Sequence, residues 1–196
     1  MSLFSAEARP AGITDLAGLL CGPGRLERFG AGDTARFDVP LPFDGRERAL
    51  AALAGARGVT LAPGASGLRS AFRRDLAPLA RSWCTGNGHK QVPPGFQLDG
   101  AALRLWVLAA GVADLRGGHL LLLDPQAPWT HGPLIAAATR AGLPPARVAA
   151  GEHGAPGPAL RLHGARRMAR LTELVGPAPG TIGPSDWPRF HGRPAA

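Results

Sequence analysis

The segment Leu103-Arg104-Leu105-Trp106-Val107-Leu108-Ala109-Ala110-Gly111, with His119 to Leu123 after it, decides how this chain is read. It has the pattern of an apolar helix that closes in small residues and a glycine, followed by an apolar strand. The same grammar occurs earlier, in Asp15-Leu16-Ala17-Gly18-Leu19-Leu20-Cys21-Gly22-Pro23-Gly24, then Arg25 to Phe29 and Ala35 to Leu41. A second helical pattern follows in each copy, over Arg46 to Ala56 and over His131 to Ala141. A unit written twice at this spacing implies a duplicated α/β unit, so the two copies are expected to build one structure together.

Working outward, the first copy reads as helix (Ile13 to Leu20), strands (Leu26 to Phe29, Ala35 to Leu41), helix (Glu47 to Ala56), strands (Val59 to Ala62, Leu68 to Arg73) and helix (Leu76 to Cys84). The second reads as helix (Ala101 to Ala110), strand (His119 to Leu123), helix (Leu134 to Ala141), strands (Arg147 to Ala150, Ala159 to Leu162) and helix (Arg166 to Val175). Strands rest on alternation, as in Arg36-Phe37-Asp38-Val39, which sends one face to a core and the other to water or a ligand. Gly-rich turns at Gly30 to Asp33, Pro63 to Gly67 and Gly151 to Pro158 separate them. The expected organisation is an irregular start over 1–12, a first repeat over 13–84, a loop over 85–97, a second repeat over 98–176 and a Pro/Gly-rich tail over 177–196. Trp187 and Phe190 are the tail's candidate anchors.

With 196 residues, 45% of them hydrophobic, the chain can bury a substantial core. No apolar run approaches the roughly 18 residues of a membrane span, and no basic cluster precedes an apolar core at the amino terminus; a cytoplasmic protein without a membrane partner is the expectation. Lys and Arg number 22 against 14 Asp and Glu, a net charge of +8 that favours a polyanionic partner. All the basic residues but Lys90 are arginine. Cys21 and Cys84 give no disulfide framework and read as buried thiols.

These residues resemble the LAGLIDADG homing endonuclease family in its single-chain, two-repeat form. Leu16 to Gly24 is similar to the first signature helix, whose family pattern ends Gly-Asp-Gly. Lys90-Gln91-Val92-Pro93-Pro94, Leu98, Ala102-Leu103 and Trp106 to Gly111 resemble the second. The likeness extends through Asp75 to Leu79 and Trp83 upstream and Leu171 to Val175 downstream, covering about residues 13–176. It implies an α/β fold, in the α+β sense, of tandem αββαββα repeats. The signature helices would pack on a pseudo-twofold axis through small residues (Ala17, Gly18, Cys21, Ala109, Ala110), beneath a saddle of sheet that holds double-stranded DNA. In the family the last residue of each helix is a carboxylate that binds divalent metal for phosphodiester cleavage. The matching positions here are Pro23 and Ala110, which cannot ligate a metal.

The resemblance therefore implies a catalytically silent DNA-binding protein, monomeric, with transcriptional regulation as a role and no cofactor. Mg2+ would be needed only if nuclease activity survives on displaced carboxylates. Asp15, Asp114 and Asp124 are the acids near the helices; Asp15 reads as a first-turn residue and the other two as turn residues. The DNA-facing candidates are Arg25, Arg28, Arg36, Arg69, Arg73, Arg116, His119, Arg147 and Arg161, since guanidinium groups bind phosphate and guanine edges. Lys90 reads as a relic of the family's active-site lysine, as a phosphate contact, or as a solvated loop residue. Arg166, Arg167 and Arg170 read as an outer face. A protein-interaction scaffold on the same fold is the alternative. Paired Cys spacings for zinc, a phosphate loop around Lys90 and a Ser/His/Asp nucleophile motif are all missing.

Overall fold

The structure, a computed structural model, describes Ala6 and residues 10–189. A 3-10 turn over Ile13–Leu16 leads into α1 (Ala17–Cys21), followed by β1 (Arg25–Phe29), β2 (Thr34–Pro40), α2 (Glu47–Gly55), β3 (Leu61–Pro63), β4 (Gly67–Ser70) and α3 (Ala77–Trp83). The order then recurs as α4 (Gly100–Ala110), β5 (Gly111–Ala113), β6 (His119–Leu122), α5 (His131–Arg140), β7 (Ala146–Val148), β8 (Ala159–Leu162) and α6 (Ala165–Val175). Among the described residues the fold is mixed α+β, with six α-helices and two four-stranded antiparallel sheets ordered β1-β2-β4-β3 and β5-β6-β8-β7. Both sheets thus have the same strand order, with each copy's second and fourth strands paired at the centre.

The core is built on α1 and α4. Every residue of α1 is buried, and so is every residue of α4 except Arg104. A helix that is apolar all round has no solvent face, which places this pair in the centre. Asp99 caps α4, its side chain accepting from the Ala102 N–H at 2.9 Å. Trp106, fully buried, donates its indole N–H to Leu122 O at 3.0 Å and so ties α4 to β6. The outer helix α6 shows the opposite pattern: Met168, Leu171, Leu174 and Val175 are buried along one stripe and the rest faces outward. Below the start of α1, the buried Asp15 carboxylate accepts from Arg57 Nε at 2.9 Å and from the Gly12 N–H at 3.0 Å.

Three expectations change. Strand β5 went unrecognised because it begins directly at the end of α4 and, at three residues, is too short to display alternation. The first apolar run opens as a 3-10 turn instead of an α-helix, and β4 stops at Ser70, with Arg73 joined to Ala35 only through an isolated bridge. In the tail, Trp187 is buried and donates to Gly176 O at 2.9 Å. Phe190 lies outside the described residues. No helix among the described residues is long and apolar enough to cross a membrane.

Candidate nucleic-acid interface

The two central helices meet through glycine. A Cβ on Gly18 would lie 1.9 Å from Ala102 O, and one on Gly22 would lie 2.9 Å from Ala110 Cβ. Contacts advance in the same direction along both helices, so α1 and α4 run side by side and end together. Their last carbonyls lack intrahelical partners and carry partial negative charge.

Each of these ends is closed by a cation. At α1, Lys90 Nζ donates to Gly22 O, to Gly24 O at 2.9 Å and to Asp124 Oδ2 at 3.2 Å, using all three of its hydrogens. Lys90 is positioned by its bridge to Cys84 and by its own carbonyl, which accepts from Trp129 Nε1 at 2.7 Å. Burial lowers its pKa, and Asp124 works against that shift. At α4, Arg46 Nη1 donates to Gly111 O at 2.7 Å, Leu108 O at 3.0 Å and Val107 O at 3.4 Å, with the guanidinium 4.7 Å from the Phe43 ring centroid. Burial likewise lowers the Arg46 pKa, opposed by Asp186. Beside it stands His119, whose Nε2 would lie 2.6 Å from a Cβ on Gly111. Burial, then the charge of Arg46, pushes this imidazole down to about 3.

His119 was expected to face a ligand, and this placement corrects that: it is 1% exposed and neutral inside the protein. Pro23 is half-buried and Ala110 fully buried at the two tips. The Asp124 carboxylate is held by Lys90, which also caps the α1 end, and by the Gln126 N–H at 2.9 Å. Asp114 is engaged elsewhere. Burial raises its pKa, but the Arg116 N–H and the Arg161 guanidinium, 2.5 Å away, outweigh this and hold it below the usual range. Among the described residues, no group of three or more His, Cys, Asp or Glu is arranged to hold a metal ion. Both thiols are buried, and burial raises the pKa of each.

The expected DNA-facing arginines divide into distinct sets. In the first sheet, β2 alternates strictly, burying Ala35, Phe37 and Val39 and leaving Arg36 and Asp38 half-exposed. Register pairs Arg25 with Asp38, Glu27 with Arg36 and Asp38 with Arg69, so these residues share the outer face. Two of those arginines are already matched: Arg36 sits 2.6 Å from Glu27, and Arg69 lies 3.2 Å from Asp38 and 3.5 Å from Glu27. Arg25 approaches Asp124 at 3.8 Å with its side chain half-exposed. Arg28 stands opposite Ala35, a core residue, and so points to the helix side of the sheet. Arg73 pairs with Asp75.

The second sheet differs. All four residues of β6 are buried, so both of its faces are covered. Leu120 stands opposite Arg161 where the first sheet has Asp38 opposite Arg69. Arg161 is taken by Asp114, whereas Arg116, in the turn after β5, and Arg147, on β7, are exposed. Among the described residues Arg28, Arg116 and Arg147 make no ion pair. On α6, Arg167 donates to His163 O at 3.1 Å and Arg170 pairs with Glu173 at 2.8 Å.

The sequence marked Lys90 as unusual but gave no sign of Arg46, which sits in the charged run Asp44-Gly45-Arg46-Glu47-Arg48 and looks solvated. The acids that neutralise Arg36 and Arg69 were visible in the sequence; their pairing needed the register. The chain matches no protein-family model and no curated protein. Chemically, then, the arrangement offers unpaired guanidinium groups for phosphate, and helix ends already occupied by protein cations.

Proposed function

We propose that the chain is a metal-independent double-stranded DNA-binding protein built from two LAGLIDADG-like repeats, acting as a monomer in the regulation of transcription. The observation that carries this reading is the pair of closed helix ends. In a nuclease of that design the ends would bear acids and hold cations from solution. In this chain Lys90 supplies fixed positive charge to carbonyls just past α1 and Arg46 to carbonyls at the end of α4, and Pro23 and Ala110 supply no ligand. The fold is thereby freed from a metal requirement while the guanidinium groups of Arg25, Arg28, Arg116 and Arg147 keep the capacity to bind phosphate.

A second reading, a protein-interaction scaffold, is favoured by a specific patch. Phe29 and Phe72 are exposed with ring centroids 5.3 Å apart, and Arg36 lies over the Phe72 ring at 4.4 Å. Together with the Arg36/Glu27 and Arg69/Asp38 pairs, this makes a self-satisfied polar and aromatic face of the kind that meets proteins. A mobility-shift assay with duplex DNA in EDTA separates the two. Retardation that Arg28→Glu and Arg116→Glu weaken, and that Phe29→Ser with Phe72→Ser leaves unchanged, is the expected outcome. Absence of any retarded species, or retardation only with Mg2+, overturns the DNA-binding reading.

A further inference from the structure

A cleft of about 610 Å³ opens between the edge strand β1 and the turn that follows β6. Arg25, Arg28, His89, Gln126 and Trp129 line it, with the Lys90–Asp124 pair among its walls. This volume is in the range of small-molecule sites, roughly 300–1,000 Å³.

Its most unusual component is Trp129. The side chain is 54% exposed, yet its one polar atom is committed, since Nε1 donates to Lys90 O at 2.7 Å. The His89 ring packs against it nearly at right angles, 84°, with centroids 6.0 Å apart. An exposed indole would normally cost apolar surface and lose rotamer freedom without return. Here it is held as a fixed aromatic plane at the rim of a cleft.

The charges of the cleft point to the other half of a ligand. Lys90 and Asp124 neutralise one another in the wall. Glu27 and Asp38 also line the cleft, but both are matched by Arg36 and Arg69. The excess is cationic and resides in Arg28, without an ion pair among the described residues, and in Arg25, whose nearest carboxylate oxygen is 3.8 Å away.

An aromatic plane beside two guanidinium groups is complementary to a flat heterocycle that carries a phosphate. We propose that this cleft binds a single nucleotide, its base stacked on Trp129 and its phosphate held by Arg25, with Arg28 adding positive charge from another wall of the cleft. The nucleotide has two sources with the same chemistry, a free nucleoside monophosphate or an unpaired nucleotide of a DNA strand. The site shares Arg25 and Arg28 with the proposed duplex-binding surface, and Trp129 is the part that belongs to the cleft alone.

The test is a titration of the full chain against 2-aminopurine nucleoside 5′-monophosphate, whose emission is quenched by stacking on indole. A second arm uses duplex DNA carrying one unpaired 2-aminopurine, read by the same quenching, with a fully paired duplex as the control for general DNA affinity. Saturable quenching in either arm is expected, and the responding arm names the source. Trp129→Ala should weaken the quenched binding about tenfold, as loss of one stacked base implies, while Trp129→Phe keeps most of it. Arg25→Ala should weaken it by a similar factor, and the unphosphorylated nucleoside should bind correspondingly less well. Paired-duplex affinity should be indifferent to Trp129→Ala, which separates failure of this site from failure of duplex binding. No saturable quenching in both arms, or quenching unaltered by both Trp129→Ala and Arg25→Ala, would overturn the proposal.

Discussion

Lys90 and Arg46 place their charge where helix carbonyls run out of partners, and each is buried to do so. Lys90 also neutralises Asp124, whose side chain is 2% exposed, so removing the amine strands a carboxylate. Lys90→Met should cost about 3 kcal/mol of stability in urea unfolding, and adding Asp124→Asn should recover a good part of it. His119 gives a pH signature. Its folded pKa, about 3, lies below the ordinary histidine value of 6.5, so the unfolded chain takes up a proton that the folded chain refuses. Stability from this group is complete above pH ~6.5 and falls as the pH drops towards 3, by at most about 1.4 kcal/mol per pH unit. Unfolding free energies of the parent and His119→Leu, measured over that window, should show the steeper decline in the parent. Parallel curves would refute the assignment of a buried neutral imidazole.

At the scale of elements, the contact between α1 and α4 is set by Gly18, which has no room for any side chain. Gly18→Ala should destabilise by about 3 kcal/mol or more, because the obstacle is the Ala102 backbone and not a flexible side chain. Gly55→Ala at the end of α2, where a Cβ meets nothing, should be neutral or stabilising by up to about 1 kcal/mol; thermal melts of the two variants make the comparison. The small residues of α1 with its Gly18, the α4 helix apolar but for Arg104, and the alternation of β2 were legible in the sequence, since each expresses burial through period and residue size. What stayed hidden depends on contacts between distant segments. Strand β5 is defined by its partner β6, Arg46 by carbonyls more than sixty residues away, and the interior place of His119 by the packing of the α4 end. In the second sheet the strands β6, β7 and β8 were legible but the outer face was not: the four buried β6 residues, unlike those of β2, carry no periodic mark of one.

For the whole molecule, the two halves share strand order but have diverged in surface, the first sheet presenting a charged ladder and the second closing over with leucine. A net charge of +8 is consequently not spread as a uniform basic face. Of the expected DNA-facing arginines it leaves Arg28, Arg116 and Arg147 without an ion pair among the described residues. The affinity for duplex DNA should therefore rest on a small number of phosphate contacts and on no divalent ion. The most direct measurement is the dissociation constant for a duplex across a KCl titration, in EDTA and again with Mg2+. A plot of log affinity against log salt with a slope of about −3.5, as four phosphate contacts imply, and superimposable with and without Mg2+, is the expected result. A flat plot, or binding and strand cleavage that appear only with Mg2+, would contradict a metal-free DNA-binding protein.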